Sequence, residues 1–125
     1  MRFIRFARLA DPRCLRAAWW AFWAAHRARR QLRGGGIDTV RLPAPPSLPP
    51  AAELGVSASL RLRKEACLVR AVVRQQWHAT HGSPRDVVIG VRGPARGLHA
   101  HAWLDGDPPC HSEGFVELLR RPVPR

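Results

Sequence analysis

Apolar and polar positions along the chain fall into a few periodic stretches separated by strong breakers. Leu15, Trp19, Phe22, Trp23 and His26 recur at helical spacing. Asp11-Pro12 supplies an N-cap acceptor followed by proline at the first helical position, and Gly34-Gly35-Gly36 stops the pattern. These signals predict one amphipathic helix of about six turns at 3.6 residues per turn. Its aromatic stripe reads as a face packed on the rest of the domain or on a partner protein. A helix lying on a membrane surface, arginines outward, is the alternative. Residues 42–52 (LPAPPSLPPAA) cannot be helix or central strand, because proline fixes φ and removes a donor. They read as a semi-rigid extended connector. The N-terminal helix is then an appendage, with the compact unit mostly downstream.

Past the connector, residues 59–76 read as helical, with Leu62, Ala66, Val69, Val72 and Val73 on the apolar face. His81-Gly82-Ser83-Pro84 is loop chemistry. Residues 86–92 (DVVIGVR) form a short β-branched strand, and residues 98–104 (LHAHAWL) alternate with period two. Asp105-Gly106-Asp107 is a turn that leads to a further strand expected around residues 109–112. The order of elements predicts an α+β fold, a helix packed on a small antiparallel sheet. The chain divides into an N-terminal helical segment (1–36), a proline-rich linker (37–58) and a core (59–125).

Composition narrows the function classes. With 125 residues the chain is one small domain that can bury a modest core. The net charge is +12, and every basic residue except Lys64 is an arginine. With abundant alanine and proline, that bias reads partly as coding composition, and what survives is a preference for acidic partners. A non-enzymatic arginine-rich module for nucleic acid or acidic peptide is therefore one candidate class. The arginines are scattered, however, and no nucleic-acid motif is present. Cys14, Cys67 and Cys110 lie far apart with no CxxC pair, which fits a reducing compartment. The apolar run at 17–25 (AAWWAFWAA) is shorter than the ~20 residues a bilayer span requires. A basic start over residues 1–8 and the small pair Ala24-Ala25 are signal-peptide ingredients. Four aromatic rings crowd the run, though, and Arg13 and Arg16 abut it, so the chain reads as cytoplasmic.

Two residues carry the candidate chemistry. Cys67 follows Lys64-Glu65-Ala66 in a first helical turn, where the positive end of the helix dipole and unpaired N–H groups suit a nucleophilic sulfur. A lone cysteine there is more often core. His101 changes that balance, because alternation sets His99, His101 and Trp103 on one strand face and Leu98, Ala100, Ala102 and Leu104 on the other. A helix-borne cysteine and a strand-borne histidine are the layout of thiol acyl-transfer chemistry, in which imidazole accepts the thiol proton and returns it to the leaving amine. The returning strand would bring His111, Ser112 and Glu113 back towards His101, and such a hairpin is the natural place for an orienting acid. The rival reading is a metal held by His99 and His101 with His111 or Cys110, with His78 and His81 as a looser pair, but no spacing matches a structural zinc signature. No GxxxxGK[ST] loop or GxGxxG turn is present. The expectation is no metal and no cofactor.

Cys67-Leu68-Val69-Arg70-Ala71, Val88-Ile89-Gly90-Val91-Arg92 and Ala100-His101-Ala102-Trp103-Leu104, in that order, resemble the three motifs of the lasso-peptide leader peptidases. The resemblance covers about residues 59–115 and implies a transglutaminase-like, papain-type minimal core. The chain is similar to the separate short form of that family, with no leader-recognition domain before the helix. Carried over by position, Cys67 matches the nucleophile and His101 the general base. The family's usual aspartate falls on Glu113, with Asp105 and Asp107 as alternative orienting acids and His99 and Trp103 as site-lining residues. The implied partners are a precursor peptide with its leader, a separate leader-recognition protein and an asparagine-synthetase-like cyclase that closes a macrolactam. Nucleic acid and membrane are not among them. Trp19, Phe22 and Trp23 are the candidate docking face. Transglutaminase-like amide transfer uses the same Cys–His pair and differs in whether water or an amine resolves the acyl-enzyme.

Overall fold

The computed structural model describes residues 11–93, 97 and 99–124. The basic stretch 1–8, weighed above as a targeting signal, and Leu98, read as the start of a strand, lie outside the described residues. Helix α1 (Pro12–Gly34) starts and stops where the breakers set it, with the Asp11 carboxylate accepting from the Arg13 N–H at 2.9 Å. Its buried face is not the aromatic stripe. Ala17, Trp20, Ala21, Ala24, Ala25 and Ala28 are buried, while Leu15, Trp19 and Trp23 are exposed. The reason is closeness of approach, since small side chains let a neighbouring backbone lie against the helix and large rings do not. At Gly55 the approach is so tight that an added methyl would sit 1.9 Å from the Cys14 carbonyl oxygen.

The proline-rich stretch is extended as expected, punctuated by single 3₁₀ turns at Ile37–Thr39 and Pro50–Ala52. It is nevertheless packed down. Val40, Leu48 and Ala52 are buried in the same cluster as α1, and the Trp20 indole donates to the Pro43 carbonyl at 3.1 Å. The N-terminal helix is therefore not an appendage but one wall of the core.

The helix predicted over 59–76 is two helices, α2 (Glu53–Leu62) and α3 (Cys67–Thr80). Lys64 adopts a left-handed φ of 50° between them. Glu65 turns inward to an ion pair with Arg29 at 3.3 Å, with Arg63 at 3.7 Å. That inward turn breaks the helical run and leaves Leu62 85% exposed instead of on the apolar face.

Strands β1 (Val87–Arg92), β2 (His99–Leu104) and β3 (Val116–Arg121) form an antiparallel sheet in the order β2-β1-β3. The α+β architecture read from the sequence is thus present, but its last strand lies elsewhere. Residues 109–111, expected in that strand, form a 3₁₀ turn (Pro109–His111). Pro108 and Pro109 have no N–H for a ladder, so β2 is not continued as a hairpin, and β3 pairs with the far side of β1. Ile89 pairs with Ala102 and Val87 with Leu104. Val87, Ala102 and Leu104 join Val69, Val72, Val73 and Trp77 of α3 in the core. Arg121, at the end of β3, is buried and donates to the Ile37 carbonyl at 3.0 Å, the Val40 carbonyl at 2.8 Å and the Gln75 side-chain oxygen. Among the described residues no helix is long and apolar enough to cross a membrane.

Candidate active site

Cys67 is the first residue of α3, half-buried against the core. The N-cap is Ala66, in extended backbone, with no side-chain hydrogen bond to the helix and no acidic residue in the first turn. Early helical amides have no intrahelical acceptor. At Cys67 they are also without a side-chain cap, and they remain available to an oxyanion formed beside the sulfur.

His101 stands at the middle of β2, opposite Gly90 of β1. Alternation along β2 is as expected: Ala102 and Leu104 face α3, and His101 shares the other face with Trp103. The side that carries His101 is therefore not the side on which the apolar stripe of α3 rests. β2 is an edge strand, and the charge of Arg70, three residues after Cys67 on α3, is felt at His101. Two rings fix the imidazole, Trp103 at 5.8 Å and Phe115 at 5.4 Å between centroids. Gly90 makes this packing feasible, since a Cβ there would lie 2.6 Å from the Trp103 ring.

Partial burial, chiefly, holds the His101 proton affinity below the ordinary histidine value, with the positive charges of His111 and Arg70 adding to it and Asp107 opposing it. A neutral imidazole is the form a general base requires. Among the described residues no hydrogen bond joins the Cys67 sulfur to His101 or His101 to a carboxylate. Such contacts commonly tighten only when substrate is bound.

The three candidate orienting acids occupy different environments. Glu113 is exposed, in the turn that precedes β3, and its backbone N–H donates to the Pro109 carbonyl at 2.9 Å. Asp105 accepts from Arg120 at 2.9 Å. Asp107, read from the sequence as part of a turn, is only 3% exposed at its side chain. It receives both Arg74 guanidinium nitrogens at 3.0 and 2.9 Å and the Leu104 N–H at 3.0 Å. Those bonds outweigh its burial and leave its carboxyl below the usual range. Of the three, Asp107 is the one whose charge acts on His101.

The remaining candidates separate. His99 is exposed, opposite Arg92. His78 faces Glu53 at 3.4 Å, while His81 stacks on Trp77 at 4.0 Å, so these two do not share a ligand site. Among the described residues no group of three or more histidine, cysteine or acidic side chains is placed to hold a metal ion. Trp19, Phe22 and Trp23 form a connected aromatic group on the outer face of α1, with Arg63 lying over the Phe22 ring at 4.4 Å. Phe115 and Arg70 escaped the sequence reading as site residues. Phe115 reaches His101 through the sheet order, which no local pattern reveals. Arg70 had a readable signal, its position three residues after Cys67 on one helix face.

Comparison with curated proteins and with solved structures gives no match. A family model, described as the transglutaminase-like superfamily, matches residues 9–120 and so takes in α1 and the connector as well as the sheet. That superfamily includes cysteine proteases and amide-transferring enzymes. With nearly its whole length matched, and with a cysteine opening a helix packed on a sheet that bears a histidine, the chain belongs to the transglutaminase-like superfamily.

Proposed function

We propose that this protein is a cysteine peptidase that removes the leader from a lasso-peptide precursor. The observation that carries the reading is the ordered trio of motifs, with Cys67 opening an uncapped helix and His101 held as a neutral base on the edge strand. In this reaction His101 takes the thiol proton and the Cys67 sulfur attacks the carbonyl carbon of the last leader residue. The tetrahedral oxyanion is stabilised by the first-turn amides of α3. Collapse breaks the C–N bond, and His101 hands its proton to the departing core amine. Water, deprotonated by His101, then cleaves the thioester and frees the leader carboxylate. Asp107 contributes through its charge, and Glu113 would have to move to touch the imidazole. The group of exposed Trp19 and Trp23 with half-buried Phe22 is the docking face for the leader-recognition protein, and the freed amine passes to the cyclase.

The test is cleavage of a lasso-type precursor peptide, followed by mass spectrometry with a leader-recognition protein present. A single cut at the leader–core junction, reduced at least ~10³-fold in both Cys67→Ala and His101→Ala, is the expected result. Cleavage that survives without Cys67 sinks the assignment. A leader recovered as an amide of an added amine, rather than as an acid, would instead identify amide transfer.

A further inference from the structure

Between α2, the first two turns of α3 and the 107–111 turn lies a recess of about 240 Å³. Its polar lining is Ser57, Arg61, Arg70, Arg74, Asp107 and His111, with Glu53 at one wall. The charges do not balance. Arg74 is taken up by the two-pronged contact with Asp107, and Glu53 faces His78 at 3.4 Å. Arg61 and Arg70 have no carboxylate within ion-pair distance among the described residues, so two arginines line one recess without a counter-ion. Leu60 and Pro108 add an apolar wall, suited to the methylene stem of a side chain. The volume falls below the ~300–1,000 Å³ of pockets that hold whole small molecules, and fits one side chain. Position gives the recess its meaning. Arg70 follows Cys67 by three residues, which sets their Cβ atoms roughly 5–6 Å apart on one helix face.

The geometry points to this recess as a specificity subsite for the carboxylate of an acidic residue close to the bond presented to Cys67. The inference rests on the peptidase reading for its role, while the carboxylate preference itself is a binding property. Arg70 is the central donor, Arg61 the second, and Asp107 keeps Arg74 out of the competition.

The test uses full-length Cys67→Ala protein, titrated with Ac-Ala-Glu-Ala-NH₂, Ac-Ala-Gln-Ala-NH₂ and inorganic phosphate, with the arginine Nε–H signals followed by NMR. The glutamate peptide should bind at least 10-fold more tightly than the glutamine peptide and shift Arg70 and Arg61 selectively. That preference should disappear in Arg70→Gln and weaken in Arg61→Gln, yet persist in Arg27→Gln on the outer face of α1. Three outcomes overturn the subsite: shifts spread evenly over the arginines, a preference that survives both cleft variants, or saturation by phosphate without binding of the glutamate peptide. The rate of Cys67 alkylation by iodoacetamide, compared with and without His101→Ala, reports separately on the catalytic pair. Alkylation indifferent to His101 alongside intact glutamate selectivity would overturn the peptidase reading and leave the acidic-residue site standing.

Discussion

His101 is set by neighbours of both signs, and this gives its chemistry a defined pH response. Burial first, then His111 and Arg70, keep it neutral to lower pH than an ordinary histidine, against the pull of Asp107. A base with a lowered pKa remains competent until the pH falls through that lowered value. The acid limb of the proposed peptidase activity should therefore inflect below the ordinary histidine value of ~6.5. Removing a positive neighbour makes protonation easier, so Arg70→Ala should move the inflection up. Removing the negative neighbour does the opposite, so Asp107→Asn should move it further down. Proton NMR titration of the His101 ring reads these shifts directly, and a titration unmoved in both variants would show that neither charge acts on the ring. At this scale the placement of Cys67 at a helix start and of His101 on a strand was legible in the sequence, because both are local patterns. The fate of Asp107 was not. Its turn chemistry suggested solvent, and only the fold brings Arg74, 33 residues earlier, against it.

Among the elements, the contact between α1 and α2 is the tightest. Alanine in place of Gly55 would gain ~1 kcal/mol of helix propensity, but its methyl would overlap the Cys14 carbonyl and force two backbones apart. Sterics wins. Gly55→Ala should destabilise the protein by about 3 kcal/mol, the upper part of the overpacking range, and lower Tm by on the order of 10 °C. Calorimetry that found an unchanged or raised Tm would show that the helices are not in backbone contact. The ends of α1 were readable from Asp11-Pro12 and the glycine run because caps are local. Its buried face was misread, since an aromatic stripe outweighs alanines in any hydrophobic count although alanine is what close packing selects. The break between α2 and α3 was hidden for a similar reason. It follows from the buried pairing of Glu65 with Arg29, a contact between residues far apart in sequence. Strand β3 had no clear alternation to read, because Val116, Leu118 and Leu119 are all exposed.

At the scale of the molecule, α1, the connector, the paired helices and the sheet share one hydrophobic cluster. The order β2-β1-β3 could not be read from sequence, since a turn after β2 predicts a neighbouring strand and the two prolines at 108–109 divert it. That diversion leaves Arg121 to fasten the sheet to the connector, through carbonyls 84 and 81 residues earlier in the chain. Closing a loop of that length carries roughly 4 kcal/mol of entropy from its length alone. Contacts of this kind form late, after the local helices and the β1–β2 pair have repaid part of the ordering. Removing Arg121 strands two buried carbonyls and Gln75 without their donor, so Arg121→Ala should destabilise the fold by about 3 kcal/mol. Formed after the folding barrier, the clamp should show this loss almost wholly as an unfolding rate raised about 100-fold, with refolding unchanged. Stopped-flow kinetics distinguish this from a refolding limb slowed by the same factor, which would place the clamp before the barrier. The arginine at the end of β3 would then act as a latch on the lifetime of the native state.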